Sequence, residues 1–204
     1  MTIKGKFITF EGIDGAGKST HIDEVISFFE AQKIAVKRTR EPGGTKLGEK
    51  LRELLLYDDM DPETETLLMF AARRQHIAEI IKPALDAGIF VLSDRFTDAT
   101  YAYQYGVKQV AYSKIQILEA WVHPDLKADL TLLFDLPVEI SIDRLKRNRT
   151  PDKFEKESEA FFNRLRNVYL DLARQNPIRY KIINSNQPIE AVSQDVIEAI
   201  KTIL

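Results

Sequence analysis

Short, almost wholly apolar runs alternate with stretches of helical periodicity from one end of the chain to the other. That alternation predicts an α/β fold whose parallel strands are covered on both faces. The first strand is expected over residues 6–11, apolar at Phe7, Ile8 and Phe10. Behind it Ile22, Val25, Ile26 and Phe29 fall at the i, i+3, i+4, i+7 spacing of one buried helix face. A second strand is expected over 35–40, ended by Pro42-Gly43-Gly44. Leu47, Leu51, Leu54 and Leu55 mark a helix, and a longer one is predicted over 63–81, with an extension beyond Pro83 that Gly88 ends. Strands follow over 89–93, 130–134 and 180–183. Helices are expected around 100–105 and 113–122, from about 138, over 155–175, and from Pro188, which takes the first helical position. The sum is three layers: a five-stranded parallel sheet flanked by helices.

Length changes this picture little, because 204 residues suit one domain, here 1–204, with a small lid segment at about 144–156 where basic residues crowd. Charge excludes more. With 29 basic and 31 acidic side chains the net charge is -2, which speaks against nucleic-acid binding driven by bulk charge. There is no cysteine, so disulfides, thiolate metal sites and cysteine nucleophiles are ruled out. The beginning of the chain does not read as a secretory leader and no window reads as a membrane span, so a cytoplasmic location is expected.

Candidate chemistry enters at the first turn. Gly12-Ile13-Asp14-Gly15-Ala16-Gly17-Lys18-Ser19 matches G-x-x-x-x-G-K-[ST], a loop whose backbone N–H groups curl around phosphate oxygens at a helix N-terminus. It lies between an apolar strand and an amphipathic helix, as the motif requires. Lys18 is expected to bridge the β- and γ-phosphates, and the Ser19 hydroxyl to coordinate Mg²⁺. ATP and Mg²⁺ are the implied ligands, with residues 12–20, Thr20 included, around the nucleotide.

Many such loops serve switches or motors, but neither a D-x-x-G followed by an N-K-x-D box nor an Asp-Glu pair after an apolar strand is found at a suitable place. The third strand instead delivers Asp94-Arg95 at its C-terminal end, where open parallel sheets bind ligands. A carboxylate that orders a metal beside a fixed cation suits transfer of a phosphoryl group to an acceptor that is itself anionic. Arg40, Arg74 and Arg95 are candidates for the acceptor side, and the basic stretch 144–153 for the donor side. A kinase of some other nucleotide or nucleoside, and a nucleotide-dependent switch, remain the alternatives at this point.

The segments 10–20 (FEGIDGAGKST), 39–45 (TREPGGT), 68–75 (LMFAARRQ), 94–95 (DR) and 101–104 (YAYQ) together resemble the bacterial thymidylate kinases, and further likeness runs through 157–170. The resemblance implies phosphorylation of dTMP to dTDP, in dTTP synthesis, by in-line transfer without a covalent intermediate, in a homodimer. It implies that Asp14 meets the 3′-hydroxyl of the acceptor sugar, that Phe70 stacks on thymine, and that Arg74 reaches the 4-carbonyl. Read from spacing alone, Phe70 would be core packing and Arg74 a surface ion pair. The resemblance further implies Arg95 on the acceptor phosphate, Asp94 ordering the hydration of Mg²⁺, Thr100 at the base, Tyr103 screening the sugar 2′ position, and Pro42 bordering the thymine methyl.

The basic stretch would close over ATP, with Arg144 against adenine and Arg147 or Arg149 supplying a catalytic cation that the phosphate loop lacks. Asp152-Lys153-Phe154-Glu155 departs from the family pattern, which leaves open which residue of that stretch is catalytic. His21, His76 and His123 share no spacing and are read as structural. Trp121 is read as core or interface.

Overall fold

The computed structural model describes residues 5–148 and 158–204, with the side chains of 147 and 148 excepted. Strands β1 (Phe7–Glu11), β2 (Val36–Arg40), β3 (Phe90–Asp94), β4 (Leu130–Asp135) and β5 (Tyr180–Asn184) form a five-stranded sheet in the order β2-β3-β1-β4-β5. Every pairing is parallel. The connecting helices are α1 (Lys18–Ala31), α2 (Lys46–Tyr57), α3 (Pro62–His76), α4 (Lys82–Asp86), α5 (Thr97–Thr100), α6 (Tyr112–Val122), α7 (Val138–Asn148), α8 (Glu159–Gln175) and α9 (Ile189–Lys201). The three-layer α/β expectation therefore holds. Among the described residues no helix is long and apolar enough to cross a membrane.

The period of two along β1 decides what each face carries. Ile8 and Phe10 face the α1 layer, where Phe10 stacks on Phe134 at 6.1 Å and His21 of α1 lies 5.6 Å from the same ring. Phe7, Thr9 and Glu11 face the other layer. Phe7 meets Phe96 edge-on at 4.9 Å, Thr9 shares a buried 2.8 Å hydrogen bond with Thr131, and Glu11 receives the hydroxyl of Tyr169 from α8 at 3.0 Å. A central strand buried on both sides thus ends in a buried carboxyl group directly beneath the phosphate loop.

Helix boundaries follow their caps. Asp61 accepts from the amides of Glu63 and Thr64 at the start of α3, with Pro62 in the first turn. Beyond His76 the helix continues through a π turn, Ile77–Ile81, into α4, with the amide of Lys82 bonded to the carbonyl of Ile77. Pro83 has no N–H for the regular ladder, and a widened turn before it lets the helix pass. Gly88, at φ 76, then closes the segment as expected. Two expected starts move: α8 begins at Glu159 behind a Ser158 cap rather than at 155, and Pro188 precedes α9 as its cap residue.

The register aligns the C-terminal ends of the strands that matter. Arg40 is opposite Asp94, and Asp94 is opposite Phe10. Because β1 lies between β3 and β4, the chain leaves it at a topological switch point, and the crevice at that edge is the expected ligand site. Phe134 sits at the centre of the α1-side core. Replacing Phe134 by Ala should lower the free energy of unfolding by about 3–5 kcal/mol, read as a lower urea midpoint with an unchanged slope.

Candidate active site

One cavity of about 650 Å³ runs along that edge, a size suited to nucleotide-like ligands. Strand order sorts its walls. Toward β4 and β5 it is bounded by the phosphate loop, Arg144, Ser185 and Gln187. Toward β2 and β3 it is bounded by Arg40, Pro42, Arg52, Met69, Arg73, Thr100, Tyr103 and Gln104. Asp94 and Arg95 belong to the same wall.

The loop between β1 and α1 turns through three positive-φ glycines, Gly12, Gly15 and Gly17. At Gly12 an added Cβ would stand 2.4 Å from the carbonyl of Phe134, so backbone takes the place of any side chain there. Lys18 lies under the loop, its Nζ donating to the carbonyls of Gly12 and Ile13 at 3.0 Å each. Burial and the neighbouring Arg95 guanidinium lower its pKa, against the pull of Asp14, Asp94 and Glu11. Arg144 ties the loop to the turn after β5, donating to the carbonyls of Ser185 (3.0 Å) and Gly15 (3.4 Å).

Arg95 leaves β3 with φ 73, a backbone region that a side chain other than glycine rarely adopts. Its guanidinium donates to Asp14 Oδ1 at 2.6 Å and to the hydroxyls of Tyr103 and Tyr169 at 3.0 Å each. Burial opposes this charge, yet Asp14, the two phenols and Asp94 hold the Arg95 pKa well above its ordinary value. Asp14 responds in kind: burial would raise its carboxyl, but Arg95, Lys18 and the Tyr103 hydroxyl hold it down at about 2. Glu11 closes the network, accepting from the amide of Phe96 at 2.7 Å and from Tyr169. Burial, reinforced by Asp98, pushes Glu11 up to about 8 against the opposing influence of Arg95.

The expected residues do not all meet. Asp14, Lys18, Ser19, Arg40, Pro42, Asp94, Arg95, Thr100, Tyr103 and Arg144 line the cavity. Arg40 stands at its rim, half-exposed and paired with Glu49 at 2.8 Å. Phe70 and Arg74 do not line the cavity. Phe70 is buried in the core, stacked with His123 at 6.4 Å and under the Arg73 guanidinium at 4.7 Å, while Arg74 points to solvent. Met69 and Arg73 occupy the wall instead. The two pairs share the i, i+4 spacing, and periodicity cannot tell them apart when both are one apolar residue followed by an arginine. Arg149 and Lys153 lie outside the described residues, as does the side chain of Arg147.

Other site residues carried no local signal. Arg52 donates to the carbonyl of Pro42 at 2.8 Å, and burial and Arg40 lower its pKa. Gln104 is buried and donates to Glu65 at 2.9 Å. Thr100, Tyr103 and Gln104 reach one cavity because a π turn, Tyr101–Tyr105, widens the helix there. Three buried polar atoms of residues lining the cavity have no hydrogen-bond partner among the described residues: Asp94 Oδ1 and Arg73 Nη1 on one wall and Ser185 Oγ on the other. The first, with the Ser19 hydroxyl on the same cavity, is the oxygen chemistry Mg²⁺ takes when it keeps most of its water.

A phosphate loop at a switch point, with a second cationic wall facing it, defines a phosphotransferase of the nucleoside monophosphate kinase class. The family described as thymidylate kinase matches residues 10–196. Thymidylate kinase of Methylobacillus flagellatus is 59% identical over 98% of both chains. That of Cupriavidus pinatubonensis is 56% identical over 98% of this chain and all of its own, and that of Bordetella pertussis 53% over 94% and 92%. The chain belongs to the thymidylate kinase family.

The raised Glu11 pKa sets a pH dependence. Folded Glu11 keeps its proton to about 8, whereas unfolded it loses it near 4.5. Between those values the native state binds more protons, so this group's contribution to stability falls as pH rises. Burial lowers the His123 pKa, an effect of opposite sign that both proteins share. Urea melts at pH 6.5 and 8 should show Glu11→Gln losing less stability than wild type over that interval. An identical loss in both proteins would contradict the shift.

Proposed function

We propose how this chain carries out the reaction of its family, the ATP-dependent phosphorylation of dTMP to dTDP, with each wall of the cavity holding one nucleotide. The observation that carries the reading is the single cavity joining the phosphate loop to a separate cluster of arginines, Arg52, Arg73 and Arg95. Loop amides and Lys18 take the donor phosphates. Ser19 and Asp94 would hold Mg²⁺, which when bound neutralises charge on the transferring group. Arg95 and Arg52 take the acceptor phosphate, and the Asp14 carboxylate, anchored by Arg95 and Tyr103, meets the sugar hydroxyl.

The acceptor oxygen is already ionised, so no general base is required, and catalysis rests on alignment and electrostatics. The loop offers no arginine between Gly12 and Lys18, so Arg147 or Arg149 would supply the transition-state cation. At the base, Met69 packs on the ring face and the unpartnered Arg73 Nη1 donates to the 4-carbonyl of thymine. The ring of Tyr103, 5.0 Å from the Arg95 guanidinium, would screen the sugar 2′ position. Pro42 borders the methyl group, worth about 1–3 kcal/mol over uracil. We place the enzyme in the cytoplasm, with ATP and dTMP as its small-molecule partners.

A second copy of the chain is the remaining partner. Trp121 and Ile117 lie one turn apart on α6 at 80% and 67% exposure, and Leu67 on the neighbouring α3 is 55% exposed. Since α2, α3 and α6 pack in sequence, these side chains and Leu54 form one apolar face suited to a symmetric interface.

The test of the reaction is ADP release with Mg²⁺-ATP and a panel of dTMP, dUMP, dCMP, AMP, GMP and thymidine. Preference for dTMP is expected, and equal rates without any acceptor would overturn the reading. Arg73→Ala should raise the KM for dTMP about tenfold or more, as loss of a hydrogen bond from a charged donor does, with the KM for ATP nearly constant. Arg74→Ala should leave both constants near wild type. Sedimentation velocity should give a dimer that Trp121→Glu converts to monomer; a monomeric wild type would remove the proposed interface.

A further inference from the structure

Arg73 is held in place by Glu41, Phe96 and Thr100, which line the same cavity. Its Nε donates to Glu41 Oε2 at 2.7 Å, and its Nη2 donates to the carbonyl of Phe96 at 3.2 Å and to the Thr100 hydroxyl at 3.0 Å. Only Nη1 is left over, and it is buried. The other oxygen of Glu41 accepts from His76 Nδ1 at 2.9 Å, and His76 Nε2 meets the Thr39 hydroxyl at 2.5 Å. His76 is completely buried and Glu41 is nearly so. Each oxygen of the carboxylate thus takes one donor from the same helix, the two donors three residues apart.

Glu41 also stands next to Pro42 in the chain, so one carboxylate positions both the turn that carries Pro42 and the arginine across from it. The turn rests on the imidazole: at Gly44 an added Cβ would lie 2.7 Å from His76 Nε2 and 2.7 Å from Thr39 Oγ1. His76 does not line the cavity. Among the described residues its hydrogen bonds go to Glu41 and Thr39, and Thr39 is the residue of β2 that is buried.

We propose that His76, through Glu41, is a positioning residue for base recognition: the buried chain Thr39–His76–Glu41 aims Arg73 Nη1 at the acceptor base and so sets the preference for a 4-carbonyl over a 4-amino pyrimidine. Chemistry supports the selectivity. A guanidinium donates only, so it rewards the thymine carbonyl and leaves the cytosine amino group facing a donor. A carboxylate with one donor removed is free to follow the arginine, and a buried arginine free to turn no longer discriminates. This proposal rests on the assignment of Arg73 to the base.

Two variants separate the halves of the imidazole. His76→Asn places an amide N–H near Nδ1 and keeps the donor to Glu41. His76→Gln places its amide near Nε2 and keeps only the Thr39 contact. With dTMP, dCMP and ATP each varied in the full-length protein, His76→Gln should raise the KM for dTMP about tenfold, the loss expected for a hydrogen bond to a charged group. The dTMP-over-dCMP ratio of kcat/KM should fall to match, with the KM for ATP unchanged. His76→Asn should stay within about threefold of wild type on all of these.

Equal behaviour of the Asn and Gln variants, or a loss of thermal stability with an unchanged dTMP-over-dCMP ratio, would overturn the proposal. Should His76→Gln fail to fold, Thr39→Val carries the test, with a smaller fall in the same ratio expected and no fall overturning it. Arg73→Ala measured alongside separates the two levels. If it leaves dTMP kinetics untouched, the base-site reading itself fails; if it weakens dTMP while His76→Gln does not, only the positioning role fails.

Discussion

A guanidinium kept charged away from water is the constraint around which this site is organised. Arg95 emerges from β3 in a left-handed backbone conformation, and burial alone would disfavour its charge. The surrounding groups are arranged against that penalty. Asp14 supplies the counter-charge from the phosphate loop, Tyr103 from the π turn and Tyr169 from α8 supply hydroxyls, and Glu11 stands behind Tyr169 at the end of the central strand. Four separate parts of the chain thus converge on one cation. Loss of any of them would leave a buried polar group unpaired, a cost larger than the bond's net contribution.

The same logic recurs at the opposite end of the acceptor wall. Arg73 makes three nitrogen–oxygen contacts and is left with one nitrogen, Nη1, without a partner among the described residues, and Asp94 likewise with one oxygen, Oδ1. Native interiors rarely leave such atoms orphaned. On the wall of a cavity beside a phosphate loop, these atoms are the ones we propose a ligand completes. The site is preorganised in the sense that matters for transfer between two anions, since its charges are fixed before either nucleotide arrives.

The neighbouring buried groups pull in different directions with pH. Asp14 and Glu41 are held ionised by arginines despite burial, whereas Glu11, which faces Asp98 and lies farther behind the loop, is pushed toward its neutral form. Three carboxyl groups near one cavity therefore differ because of what each one faces, not because of residue type.

Much of the architecture was legible in the linear chain. Apolar runs marked all five strands to within a residue or so, and the glycine pattern of 12–19 marked the phosphate loop, because both depend on local rules: period-two burial and backbone approach without a Cβ. Asp94-Arg95 was legible too, since the end of an apolar strand is where a parallel sheet presents its ligands. What tertiary structure alone decided was phase and partnership. Whether Phe70 with Arg74 or Met69 with Arg73 turns toward the cavity depends on how α3 is rotated against the sheet, and residues one apart differ by about a hundred degrees on a helix while keeping the same i, i+4 spacing. Likewise Glu11, His76 and Tyr169 are unremarkable as letters. They acquire roles only because strands and helices far apart in the chain are packed so closely that each buried polar atom must find its partner in another element.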